Sequence, residues 1–267
     1  MKKIIAGPWL GELGWELMRW QGIFRNIKNK SPNTEIVMAG RQGNEFLYED
    51  YISDYITIPC DSYATDGWRV DGKEPTLPTE ILDKYKGYLY MSPITCMRIT
   101  KQQSFISYAT PYEMSDSDPI VIHARCTVKG GSNTRNWPKE KWEELVSKFP
   151  REQFITIGTT DAALNISTCR DLRDEPLREV AAILSRAKLV IGPSSGPMHL
   201  ASLCNARHLV WTDNEFQSSC NGTNRQRYEH YWNPLNAKAY VIDEYGWQPP
   251  VDVVIAKIKE VLNECNS

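Results

Sequence analysis

Short apolar runs alternate with stretches of helical spacing along nearly the whole chain. Lys3-Ile-Ile-Ala6 is the first apolar run, and a glycine-rich loop follows over residues 7–14. Over residues 15–28, Leu17, Trp20, Ile23, Phe24 and Ile27 recur on one helical face, which predicts an amphipathic helix. Ser31-Pro-Asn ends it. Strands are expected at 35–39, 55–58 and 87–91, with short helices at 44–51 and 81–85. Residues 60–78, rich in Gly, Pro and Asp, read as a surface excursion, and residues 108–119 as a linker.

The pattern then repeats more clearly. Strands are expected at 120–124, 154–157, 187–191 and 208–211, and helices at 139–149, 177–185, 197–203 and 251–265. Pro138 opens the first of these helices, where a missing N–H costs nothing. Alternating β and α elements of this kind form doubly wound parallel sheets. The expected fold class is therefore α/β, two Rossmann-like domains facing each other across a cleft. The N-terminal domain is expected over residues 1–112 and the C-terminal domain over residues 118–248. A closing helix, 249–267, could pack back on the N-terminal domain.

Composition narrows the class without naming a chemistry. The chain has 267 residues, a net charge of −2 and 41% hydrophobic residues, an ordinary globular mix. No overall basic field points to nucleic acid or anionic membrane. No apolar run approaches the roughly 18 residues of a membrane span, and the N-terminal apolar run is too short for a signal peptide, so a cytoplasmic protein is expected. The seven cysteines are odd in number and lack C-x-x-C spacing. Neither a disulfide framework nor a zinc site is expected, and no cofactor is implied. Asp116-Ser-Asp118 precedes its strand and is read as chance, not a metal motif.

Two segments carry the candidate chemistry. In Gly192-Pro-Ser-Ser-Gly-Pro-Met-His-Leu-Ala201 a strand ends in a small-residue turn that enters a helix. Ser194, Ser195 and Gly196 let the backbone approach a ligand, and the new helix turns its unpaired N–H groups and positive dipole end toward an anion. A diphosphate fits; an ordinary N-cap is the plainer alternative. In Ile122-His-Ala-Arg125 and Thr134-Arg-Asn-Trp-Pro138, Arg125 and Arg135 flank the loop 129–133. Guanidinium groups grip phosphate oxygens bidentately. Residues 218–231 are polar and aromatic, either solvated surface or a loop for the donor base or acceptor.

The order of these motifs, over residues 120–213, resembles the C-terminal half of the heptosyltransferase-like (family 9-type) GT-B glycosyltransferases. The resemblance implies a nucleotide-sugar donor. Arg135 stands where the family has a basic residue for the donor diphosphate. Ser195-Gly196 stands on the family's phosphate-facing Asp-Thr-Gly turn, with Ser194 in place of the aspartate. His199 matches the histidine of the family's Met-His-Leu-Ala helix and is grouped with the donor- and phosphate-binding residues, a packing or capping role being the plainer alternative. The resemblance also implies that the N-terminal domain is the acceptor side and the C-terminal domain the donor side. The family's Gly-Asp loop carries its proposed base; the loop Gly11-Glu12-Leu-Gly-Trp-Glu16 offers Glu12 or Glu16 for that role. The implied reaction is inverting, metal-independent transfer to an unidentified hydroxyl acceptor: a glycan, a small molecule or a modified nucleic acid. The competing readings are a sugar-nucleotide epimerase or hydrolase of the same fold, and a non-catalytic nucleotide-sugar-binding protein.

Overall fold

The computed structural model describes residues 2–62, 65–99, 102–111, 118–128, 133–217 and 222–265. It divides into two compact units, Met1–Phe105 and Ile106–Ser267. The division falls earlier than the expected break after 112. The chain just beyond it is already tied into the second unit: Tyr108 N–H donates to Leu203 O and Thr110 N–H to Ser185 Oγ. Most of the expected linker, 112–117, lies outside the described residues, as do 129–132 of the glycine-rich loop and 218–221.

The first unit is built on β1 (Lys3–Trp9). Next come α1 (Leu13–Trp15), a π-helical turn (Glu16–Trp20) and α2 (Gln21–Lys30). Then follow β2 (Glu35–Gly40), a 3₁₀ turn (Glu45–Leu47), β3 (Asp54–Thr57) and a small hairpin, β4 (Thr65–Asp66) with β5 (Arg69–Val70). α3 (Thr79–Lys84), β6 (Leu89–Met91) and α4 (Pro93–Ile99) complete it. Its main sheet is parallel, in the order β3-β2-β1-β6. Ile5, Val37 and Ala39 fill one face of this sheet with Leu77. Their neighbours Ile4, Ile36 and Met38, which strand alternation turns to the other face, are fully buried too. Burial on both faces is the mark of a parallel sheet. β1 runs past the expected Ala6 to Trp9, with a register shift between the two.

The second unit contains β7 (Ile120–Ile122), α5 (Lys139–Ser147), β8 (Phe154–Thr156), β9 (Arg170–Asp171) and α6 (Leu177–Ser185). After these come β10 (Leu189–Pro193), α7 (Gly196–Leu203), β11 (His208–Trp211) and the short antiparallel pair β12 (Phe216–Gln217) and β13 (Gly222–Thr223). α8 (Asn224–His230), β14 (Ala239–Ile242) and α9 (Val251–Cys265) end the chain. The six-stranded sheet is parallel, in the order β14-β11-β10-β7-β8-β9. Its core gathers Ile120, Ile122, Ile191 and Leu209 with the mutually packed rings of Trp137, Trp142 and Trp211. The closing helix buries Val254, Ile258 and Val261 in this core. Those residues share one helical face, and burying each stabilises the packing by about 1.5–3 kcal/mol.

Strand order fixes where each unit can hold a ligand. In the second sheet the chain moves outward from β7 through β8 to β9, then returns to β10 and moves the other way. β7 and β10 are adjacent, and their connections diverge. The carboxyl ends of such a pair open a crevice, the usual ligand position in these sheets. The first sheet has the same reversal between β1 and β6.

Candidate active site

The residues singled out in the C-terminal half collect at the carboxyl ends of β7 and β10. His123 follows β7, and its main-chain N–H donates to Ile191 O at 2.9 Å. Ser195 follows β10 and is the N-cap of α7, with extended backbone (φ −163°, ψ 172°). Its hydroxyl does not cap the helix. Instead Ser195 Oγ and His123 Nδ1 share a hydrogen bond of 2.9 Å, so the N-cap side chain leaves the first-turn amides of α7 uncapped. Ser195, Gly196 and Pro197 are half-buried at this entrance, and Ser194 is buried. Close approach is built into the strand below: a Cβ on Gly192 would stand 3.1 Å from Met198 Sδ and 3.2 Å from His123 O.

Arg135 reaches the same place from the loop before α5. Its Nη2 donates to Ser194 O, and its guanidinium lies 4.4 Å from the centre of the Trp247 ring. Arg125 behaves differently from the expectation of a phosphate grip. It is buried, and its Nη1 donates to Thr127 O and to Asn136 Oδ1. Its geometry shapes the loop that carries Arg135, because Asn136 is the next residue and also donates to Thr127 O. Burial, and then the charges of Arg125 and Arg135, hold His123 down at about 3. Its ring is neutral at physiological pH and takes part in a hydrogen bond, not in charge pairing.

His199 lies one turn into α7, buried, with its ring 4.9 Å from Trp232 and 5.6 Å from Tyr228. Burial, followed by the charge of Arg135, holds it at about 3. Tyr228 comes from the polar stretch 218–231, read either as solvated surface or as a loop for the donor base or acceptor, and Trp232 follows that stretch. The structure folds that stretch into α8 and buries Asn224 and Tyr228. Asp213, just beyond β11, accepts hydrogen bonds from Asn224 Nδ2 at 2.7 Å and from Trp247 Nε1 at 2.5 Å. Sequence reasoning missed Asp213 and Trp247. The available signal was an acid just past the carboxyl end of a strand.

The two acids of the first unit have opposite surroundings. Glu12 follows the carboxyl end of β1 and is partly exposed. Its main-chain N–H donates to Gly67 O at 2.8 Å, and its Oε1 accepts Gly67 N–H at 3.0 Å. It is thereby fastened to the β4–β5 hairpin, whose Trp68 packs edge-on against Trp15. Glu16 opens the π-helical turn and is buried. Asn44 Nδ2 donates to its Oε2 at 2.7 Å, and Tyr48 OH donates to its Oε1. Burial outweighs those bonds and the charge of Arg41, and pushes Glu16 up to about 8. Among the described residues no group of three His, Cys, Asp or Glu side chains could hold a metal ion. No described helix is long and apolar enough to cross a membrane.

No curated protein matches the chain significantly in sequence. The glycosyltransferase family 9 (heptosyltransferase) family model matches residues 92–209. Among solved structures the chain is similar to a family 9 glycosyl transferase from Veillonella parvula DSM 2008, with 14% identity, 98% of this chain and 97% of that one covered, and a TM-score of 0.61. It is similar to the ADP-heptose LPS heptosyltransferase II of E. coli, with 16% identity, full coverage of both chains and a TM-score of 0.61. The E. coli heptosyltransferase WaaC, solved with ADP, shares 12% identity over 98% of this chain and 100% of that one, with a TM-score of 0.55. Residues 92–209 thus match the glycosyltransferase family 9 (heptosyltransferase) model, and the whole chain shares the GT-B fold of these structures.

Proposed function

We propose that the chain moves a sugar, with inversion and without a metal ion, from a nucleoside diphosphate sugar to a hydroxyl acceptor in the cytoplasm. The observation that carries this reading is the crevice between β7 and β10. There the uncapped first turn of α7 and the guanidinium of Arg135 converge on Ser194 and Ser195. Amides at a helix N-terminus and a fixed cation are what a leaving diphosphate needs as its negative charge develops. Arg125 serves at one remove, by holding the loop that presents Arg135. His123 orients the Ser195 hydroxyl, and His199 packs behind it.

Glu12 is the base in this reading. A base must reach the proton it removes, and Glu12 is partly exposed where Glu16 is buried under Tyr48 and Asn44. The E. coli heptosyltransferase solved with ADP makes ADP the first probe of donor binding. Arg135→Ala should weaken ADP or UDP affinity by roughly 10- to 150-fold, the scale of a lost charged hydrogen bond. Calorimetric titration checks this, and an unchanged affinity would remove Arg135 from the donor site. Turnover measured with and without EDTA checks the metal-free mechanism. Loss of turnover on chelation, restored by a divalent ion, contradicts it.

A further inference from the structure

Arg135 has a long, flexible side chain, yet one segment far away in sequence packs against it and its loop. Residues 247–249 lie against residues 134–137 through four separate contacts. Trp137 Nε1 donates to Pro249 O at 3.1 Å, and Gln248 Nε2 donates at 2.8 Å to both Thr134 O and Asn136 O. The fourth is the face of the Trp247 indole under the Arg135 guanidinium, at 4.4 Å. The indole is oriented in turn. Its N–H goes to Asp213 Oδ2, while the other oxygen of Asp213 accepts from Asn224, whose Oδ1 accepts from Arg227 Nη1 at 3.0 Å. A flat ring held at its polar edge by a carboxylate and offering its face to a guanidinium restricts where that cation can point.

We infer that Trp247, oriented by Asp213, is a positioning residue that fixes the Arg135 guanidinium at the entrance of α7 for the donor diphosphate. The inference rests on the assignment of Arg135 to the diphosphate made above. Neither Trp247 nor Asp213 touches the donor in this account; both act through Arg135. A pre-set cation loses less freedom on binding, so the effect is on donor affinity.

The test is calorimetric titration of ADP and UDP into the full chain, its single variants and one double variant. Trp247→Leu keeps an apolar side chain but removes the ring face, and should weaken diphosphate binding about tenfold, the scale of a desolvated cation–π contact. Trp247→Phe restores a ring face and should bind within about threefold of the unaltered chain. Asp213→Asn removes the carboxylate that orients the indole and should give a smaller loss in the same direction, a second route should Trp247→Leu fail to fold. Adding Trp247→Leu to Arg135→Ala should cost nothing further, since coupled residues are not additive. Full affinity in both Trp247→Leu and Asp213→Asn, or a Trp247→Leu loss that persists unchanged in the Arg135→Ala background, overturns the positioning role. An Arg135→Ala chain that binds as well as the unaltered one overturns the donor-site assignment itself. The two failures are thus told apart.

Discussion

Glu16 holds its proton because its carboxyl is buried, not because a charge forces it, and this has consequences for both activity and stability. Its folded pKa of about 8 lies above its ordinary value of 4.5. Below about 4.5 the group is protonated whether the chain is folded or not, and it costs nothing. As pH rises through that value the unfolded chain loses the proton while the folded chain keeps it, so stability falls until pH passes about 8. The slope is at most about 1.4 kcal/mol per pH unit. Glu16→Gln should flatten the fall in unfolding free energy between pH 5 and 8, and should leave turnover within about threefold. Glu12→Gln should instead cut turnover by about two to four orders of magnitude with nucleotide affinity little changed. Denaturant unfolding across pH and steady-state rates read these outcomes; the reverse pattern would move the base to Glu16. The sequence put both acids in one loop but could not separate them. What separates them is Tyr48 and Asn44, some thirty residues away, and a carboxylate's burial is not written in its own neighbourhood.

At the scale of elements, long periodic segments were legible and short polar ones were not. The helices Leu177–Ser185 and Val251–Cys265 and the strand His208–Trp211 have the expected bounds, because each presents a continuous apolar face to one core. The expected helix at 15–28 is interrupted by a π-helical turn, which side-chain spacing does not announce. α8 lies in the stretch left open between solvated surface and a loop for the donor base or acceptor. Its signal was present: Thr223 and Gln226 form a capping box, a start mark that polar composition obscured. The β4–β5 hairpin was missed because its strands are two residues each. That hairpin matters, since it fastens Glu12, and Gly11 is what lets it approach. A Cβ on Gly11 would stand 2.2 Å from Gly67 O and 2.7 Å from Trp68 Cα. Backbone at that distance has to move. Gly11→Ala should therefore push the hairpin away and destabilise the fold by about 1–3 kcal/mol. It should lower turnover by about tenfold or more on the same grounds that make Glu12 the base, while ADP affinity stays unchanged. Unaltered turnover would show that the hairpin contact does not position Glu12.

For the whole molecule, the alternating β/α pattern in the sequence pointed to the carboxyl ends of the strands as the ligand position. Ser194, Ser195, Gly196 and Arg135 meet where β7 and β10 diverge. The bond from Arg125 to Asn136 was not legible in the sequence, where Asn136 looks like any loop residue. Trp247 was invisible for a similar reason: it joins the site through contacts that span more than thirty residues. The division of labour follows from strand order. In the function proposed, α7 and Arg135 of the second unit are the donor site, and Glu12, beyond β1 in the first unit, is the base. The most direct test is a crystal structure of the chain with ADP or UDP bound. The account predicts the diphosphate within hydrogen-bond distance of the Gly196 amide and the Arg135 guanidinium. Phosphates bound instead at the loop 7–14 of the first unit would contradict it.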